Sequence, residues 1–316
     1  MDHLLIIDGN GIMFRAFFAL PPMNTADGLP TNAIYGFFTM LNRALQTFHT
    51  ERLIICFDAP GPSFRNDLLK TYQAQRPKLD DAFRVQIPII KDLVHTADIA
   101  HTELVGYEAD DLIGTLAKRY EKNFLVYILS ADRDLFQLID AQTTAIVPKS
   151  GISTTMLLTP DDIKKMYGVT PQQIPDIKAL TGDASDNYKG AKGIGPKTAT
   201  ALIQQFGSVE QLVSRTQEIA NPRIRSAIES QIETIIQTKK IATILTDVPI
   251  SIDDAQTKTI TLNEAFHQKI VSLQMNGLAR KLFPEKIPGM EELKPNKQVT
   301  KPHHIKKDVS DQIKLF

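Results

Sequence analysis

Leu4-Leu5-Ile6-Ile7-Asp8-Gly9-Asn10 is the stretch from which the fold can be read. Four consecutive apolar residues suit a short strand covered on both faces. The run stops on an aspartate, and two other runs end alike. Leu53-Ile54-Ile55-Cys56-Phe57 leads into Asp58, and Leu125 to Leu129 leads through Ser130-Ala131 to Asp132 and Asp134. Ala145 to Val147 is a further candidate strand. Helical patterns lie between these runs, around Ala33 to Phe48 and over Asp110 to Tyr120. Over Ala82 to Thr96, Phe83, Ile87, Ile90 and Val94 recur at three- and four-residue spacing and predict one helix. Strands alternating with helices predict an α/β fold, a mainly parallel central sheet flanked by helices. Functional groups in such sheets gather at the carboxyl ends of the strands, so three strands here aim carboxylates at one rim.

More acids come from helix-proximal positions. Glu108 and Asp111 are one turn apart and can share a face, with Asp110 beside them. Asp183 and Asp186 repeat that spacing in Thr181-Gly182-Asp183-Ala184-Ser185-Asp186-Asn187. One aspartate after a strand commonly serves only as a helix cap or turn residue. Nine acids directed at one pocket repel one another, and hard divalent cations with oxygen ligands relieve that repulsion. Two such ions suit phosphodiester hydrolysis.

Composition neither adds to this nor subtracts from it. The 316 residues are 42% hydrophobic and 23% charged, enough for roughly two domains. No stretch resembles a signal peptide or a membrane span, and the single cysteine, Cys56, lies in an apolar run, so a reducing cytoplasmic setting is expected. The 36 basic and 36 acidic residues balance. With nine acids placed in one pocket, 27 remain against 36 basic residues, an excess of +9 on the rest of the surface. Zero net charge therefore does not exclude nucleic acid.

From Thr159 the pattern turns helical, opening on Thr159-Pro160-Asp161-Asp162, a capping residue followed by proline at the first helical position. Pro288 to Lys307 is polar and lysine-rich and reads as a flexible tail.

Asp8-Gly9-Asn10, Phe57-Asp58-Ala59, Gly106-Tyr107-Glu108-Ala109-Asp110-Asp111, Ala131-Asp132-Arg133-Asp134 and the Thr181 to Asn187 block occur in this order. The set resembles the motifs of the 5′–3′ exonuclease domain of bacterial DNA polymerase I, in the flap endonuclease superfamily, over about residues 4–285. The resemblance implies a phosphodiesterase acting on 5′ ends, nicks and 5′ flaps of DNA, and on RNA primers, with two Mg2+ or Mn2+ ions. By correspondence, Asp8, Asp58, Glu108, Asp110 and Asp111 serve the first ion, and Asp132, Asp134, Asp183 and Asp186 the second. The expected organisation is a nuclease core over residues 1–180 with a helical arch at about 63–95, a helix–hairpin–helix-type region over 181–285, and a tail over 286–316. Polymerase I would continue where this chain stops, so the chain resembles a stand-alone nuclease or an excised domain. The terminal peptide, residues 312–316, favours the stand-alone form, expected to be monomeric and associated with the nucleoid and not with a membrane.

The same resemblance points to DNA contacts. Gly190-Ala191-Lys192-Gly193-Ile194-Gly195-Pro196-Lys197-Thr198 looks like the family's hairpin, where glycine amides and a helix N-terminus approach phosphate and a K+ ion is often held. Lys192, Gly193, Gly195, Lys197 and Thr198 are its candidates. At the arch, Arg65, Lys70, Arg76 and Lys78 are candidate phosphate contacts and Tyr72 a base-stacking residue; Arg15 can face the same groove. The family usually has Tyr-Lys where this chain has Tyr72-Gln73, and glutamine supplies no charge. The chain ends Gln312-Ile313-Lys314-Leu315-Phe316, which resembles the bacterial sliding-clamp-binding peptide, with Gln312, Ile313, Leu315 and Phe316 as contacts. Two competing readings are a clamp-recruited, structure-specific DNA-binding factor with little catalysis and a ribonuclease of the PIN type.

Overall fold

The computed structural model describes residues 2–48, 50, 52–150, 154–252, 257 and 262–284. Its first half runs β1 (Asp2–Asp8), α1 (Gly9–Ala19), α2 (Asn32–Phe48), β2 (Arg52–Cys56), α3 (Phe64–Leu68), α4 (Asp81–Arg84), α5 (Gln86–Thr96), β3 (His101–Thr102), α6 (Ala109–Tyr120), β4 (Phe124–Leu129), β5 (Thr143–Ser150) and β6 (Thr154–Leu158). The sheet order is β3-β2-β1-β4-β5-β6. All pairs are parallel except β5 with β6. The chain builds outward in both directions from β1, so the crevice of this α/β sheet opens at the carboxyl ends of β1 and β4.

The apolar run of β1 shows why the sheet is covered twice. Side chains alternate across a strand. Leu5 and Ile7 pack toward Phe37 and Phe38 of α2, while Leu4 and Ile6 pack toward Leu112 and Leu116 of α6. All four are at most 1% exposed, and each such burial stabilises by roughly 1.5–3 kcal/mol.

The helix expected over 82–96 is two helices, broken at Val85. Pro88 accounts for the break, since it has no N–H to donate to the Arg84 carbonyl. The fully buried Gln86 beside it ties this helix to the start of α2, its Oε1 accepting from the amides of Ala33 (2.8 Å) and Ile34 (3.1 Å). The antiparallel β6 and the two-residue β3 were not apparent from the apolar runs.

Among the described residues the second half is helical apart from one small hairpin, as expected. It contains α7 (Pro160–Tyr167), α8 (Ile174–Thr181), β7 (Gly182–Asp183), β8 (Tyr188–Lys189), α9 (Pro196–Phe206), α10 (Val209–Ser214), α11 (Pro222–Glu229), α12 (Ile232–Ala242), α13 (Glu264–Ser272) and α14 (Asn276–Leu282). Leu180, Ile194, Ile203, Phe206 and Ile235 form its own core. Gly182 turns α8 into β7 at φ 73°, and a Cβ there would lie 2.4 Å from the Gly190 amide nitrogen. Among the described residues no helix is long and apolar enough to cross a membrane.

Candidate active site

The rim at the carboxyl ends of β1, β2 and β4 gathers most of the expected acids. A small pocket is lined by Glu108, Asp110, Asp132, Asp134 and Asp186, together with Arg65, Tyr72, Gln73 and Arg76. Asp8 and Asp58 stand behind these acids, close enough that each pushes the Asp110 carboxyl upward.

Asp8 caps α1: its Oδ1 accepts from the Gly11 amide at 2.8 Å and its Oδ2 from the Ser130 hydroxyl at 2.7 Å. The fit is close, because a Cβ on Gly11 would lie 2.2 Å from Asp8 Oδ2. Burial pushes the Asp8 carboxyl up to about 6, against the opposing pull of these two bonds. Asp58 accepts from the Ala109 amide at 2.7 Å, and its own amide donates to Asn10 Oδ1. Burial raises its pKa as well. Asp110 receives no hydrogen bond from a described residue. Burial, then Asp132 and Asp8, hold it well above the usual carboxylate range.

The second group differs. Single carboxylate oxygens of Asp134, Asp183 and Asp186 lie within 4.8 Å of one another. The Lys178 ammonium reaches Asp134 and, at 2.7 Å, Asp183. Arg76 donates to Asp186 at 2.7 Å. Burial raises Asp183, but Lys178 and the Ser185 hydroxyl outweigh it and hold the carboxyl down at about 2. Asp134 stands at about 6, because burial together with Asp132 outweighs the same ammonium. Asp132 is exposed and accepts from the Asp134 amide.

Three placements correct the expectations. Asp111 is fully buried and points away from the pocket. Arg65 donates to both of its oxygens, at 2.7 and 2.9 Å, and the amides of Leu245 and Glu108 donate to it as well. With its oxygens so engaged, Asp111 offers the pocket no open carboxylate oxygen in this structure. Arg65 is 3% exposed and donates further to the Ile241 and Thr243 carbonyls. It fastens α3 to α6 and to the end of α12 and is not free for phosphate. Tyr72 is buried, stacked on Tyr188 at 6.4 Å, with its hydroxyl donating to Glu108 at 3.1 Å, so it presents no face to a base.

Gln73 takes a left-handed conformation, φ 55°, beside that tyrosine. Its backbone N–H donates to the Asp186 carbonyl and its side-chain Nε2 to the Tyr72 hydroxyl. Lys78 is exposed, and Arg15 donates to the Lys149 carbonyl at 3.0 Å. In the hairpin, Lys192, Gly193, Gly195 and Lys197 are exposed and Thr198 is half-buried. The Gln231 side chain brackets the Lys192 backbone from both sides, fixing the loop ahead of α9. No side chain caps α9, and Pro196 at its first position has no N–H, which leaves the Lys197 and Thr198 amides as the uncapped donors at its start. The clamp-type residues 312–316 lie outside the described residues.

Lys178 and Ser130 were missed in the sequence. A single lysine on α8 reads as an ordinary exposed charge, and Ser130 as a linker between a strand and its aspartates. Only the fold reveals their partners.

A model of the 5′–3′ exonuclease N-terminal resolvase-like domain matches residues 3–168, and one of the 5′–3′ exonuclease C-terminal SAM fold matches residues 169–265. The chain belongs to the 5′–3′ exonuclease family. A 5′–3′ exonuclease of Aquifex aeolicus is 39% identical over 283 residues, spanning 89% of this chain and 96% of that protein. DNA polymerase I of Bacillus subtilis is 40% identical over 250 residues, 79% of this chain but 28% of the polymerase. The chain thus spans about a third or less of its polymerase relatives. Among solved structures, T5 5′-exonuclease with bound zinc superposes with a TM-score of 0.64 at 18% identity, covering 90% of this chain and 97% of that one. The fold is that of this nuclease group, and the family makes the chain a nuclease.

Proposed function

We propose that this family member is a metal-dependent 5′-nuclease that hydrolyses DNA phosphodiester bonds at free 5′ ends, nicks and 5′ flaps. The observation that carries this reading is the convergence of Asp8, Asp58 and Asp110 at one rim with no ion-pair partner among the described residues. Unpaired buried carboxylates are costly, and hard oxygen donors suit Mg2+ or Mn2+. The second set, Asp134, Asp183 and Asp186, has ligand atoms close enough to share one ion, with Asp132 alongside. Asp8, Asp58, Asp110 and, at the pocket edge, Glu108 would hold one ion, and those four the other. When bound, the ions neutralise the scissile phosphate and lower the pKa of the attacking water.

The rest of the reading concerns the chain's own groups. The exposed N-terminus of α9 with Lys197 and Thr198, and the Lys192–Gly195 loop before it, supply amides and charge for duplex phosphates without reading sequence. The loop is also the candidate site for K+. Arg15 and Lys78 extend the basic surface toward the pocket. Arg76 stands at the pocket mouth, placed to orient a phosphate. The terminal peptide, residues 312–316, is proposed to dock in an apolar groove of the sliding clamp, in a cytoplasmic, nucleoid setting.

The test compares labelled flap, nicked and blunt DNAs with and without Mg2+. Cleavage near the flap junction that needs Mg2+ and disappears in Asp58→Ala supports the reading. Tight flap binding with no cleavage in the wild type would instead favour a structure-specific binding factor. Deleting residues 312–316 should abolish clamp binding and spare cleavage of short DNA.

A further inference from the structure

We propose that Lys178 and Arg76 are built-in counter-cations of the Asp134–Asp183–Asp186 half of the pocket, so that a divalent ion enters this half only by displacing them, after the Asp8–Asp58–Asp110 half has filled. The inference deepens the metal-dependent reading above and rests on it.

Both cations sit where an ion would have to bind. The Lys178 ammonium bridges Asp134 and Asp183, and the Arg76 guanidinium holds Asp186. Together they engage all three members of the cluster that, among the described residues, has oxygens spaced for a shared ion. Lys178 has only 17% of its side chain exposed, so water screens these contacts weakly. In the other half Asp8 and Asp58 accept from backbone amides and one hydroxyl. Arg76 and Lys91 act on Asp58 without an ion pair to its carboxylate, and Glu108 at the edge lies 3.6 Å from Arg65. A divalent ion therefore meets open carboxylates in one half and occupied ones in the other.

Arg76 also couples this half to the chain segment before it. That segment is pinned to the β7–β8 hairpin by the Gln73 amide on the Asp186 carbonyl and by the Asn187 side chain on the Thr71 carbonyl at 2.7 Å. Tyr72 stacks on Tyr188 of the same hairpin. A DNA phosphate arriving here offers Arg76 and Lys178 an alternative anion. Substrate binding and filling of the second half then favour each other, as linkage requires.

Calorimetric titration of Mn2+ alone into the full chain, with bound Mn2+ counted by electron paramagnetic resonance, tests the inference. Wild type should show a tighter and a weaker class. Lys178→Met should tighten the weaker class by about tenfold or more, leaving the tighter one unchanged. Arg76→Gln, a more exposed position with little risk to folding, should shift the same class in the same direction, by less. A weaker class unmoved or weakened in both variants overturns the counter-cation role alone. Absence of any Mn2+ binding to wild type overturns both it and the metal-dependent reading.

Discussion

Two halves of one acidic pocket handle the same repulsion in opposite ways. Asp8 is buried and Asp58 half-buried, each met by neutral hydrogen-bond donors. Asp110 is half-buried with no donor among the described residues, and desolvation lifts the pKa of all three. Asp134, Asp183 and Asp186 are held by Lys178 and Arg76. The first half is strained electrostatically without an ion and is the stronger cation trap. In the second, burial still lifts Asp134 to about 6, but Lys178 and Arg76 occupy its carboxylates and must be displaced. Asp111, a few ångströms along the same helix, is the limiting case: its pairing with Arg65 is complete, and it has become part of the scaffold.

The largest expected effect follows from the first half. Asp110→Asn should cut single-turnover flap cleavage by on the order of a thousandfold while raising the melting temperature of the metal-free protein. A variant that melts lower without metal would break the contrast, since it would mean that Asp110 is not under repulsion. Arg65→Ala comes next. It leaves Asp111 charged, buried and unpaired, and should cost about 3–5 kcal/mol in denaturant unfolding. A stable variant with weakened DNA affinity would restore Arg65 as a phosphate contact.

pH separates the halves more gently. Asp8, raised from its ordinary 3.8 to about 6, holds its proton more tightly folded than unfolded. Its contribution favours folding below about pH 4 and is lost as pH rises through about 6. Asp183, held down at about 2, acts in the other direction: it favours folding above about pH 4, and that is lost as pH falls through about 2. The metal-free melting temperature should therefore decline between pH 4 and 7, less steeply in Asp8→Asn, and Mg2+ should offset the decline. A flat wild-type profile over that window would contradict the strain assigned to Asp8. The smallest effect is expected at Gln73→Lys, which adds a charge beside the Tyr72 hydroxyl and the Asp186 backbone. Single-turnover cleavage should rise by a few-fold up to about tenfold; no gain would show that nothing is missing there.

Much of the first half was legible because it obeys local rules. A β-strand of alternating buried faces followed by an aspartate needs no tertiary knowledge, and β1, β2 and β4 each carry that pattern. Legibility failed where a residue's role is set by a distant partner. Arg65 and Tyr72 sit in a polar stretch that reads as solvated, yet Asp111 and Glu108 draw them inward from more than 30 positions away. Asp111 itself was assigned to the pocket by its spacing from Glu108, but that spacing also lets its carboxylate bond the Glu108 amide and turn toward the core. Lys178 carried no local signal at all.

The contrast between the halves is tested most directly by anomalous diffraction from crystals soaked in rising Mn2+. The account predicts that the first peak appears among Asp8, Asp58 and Asp110. A second should appear between Asp134, Asp183 and Asp186 only at higher concentration, with the Lys178 side chain moved aside. A first peak beside Asp183, with Lys178 still bridging Asp134 and Asp183, would contradict it.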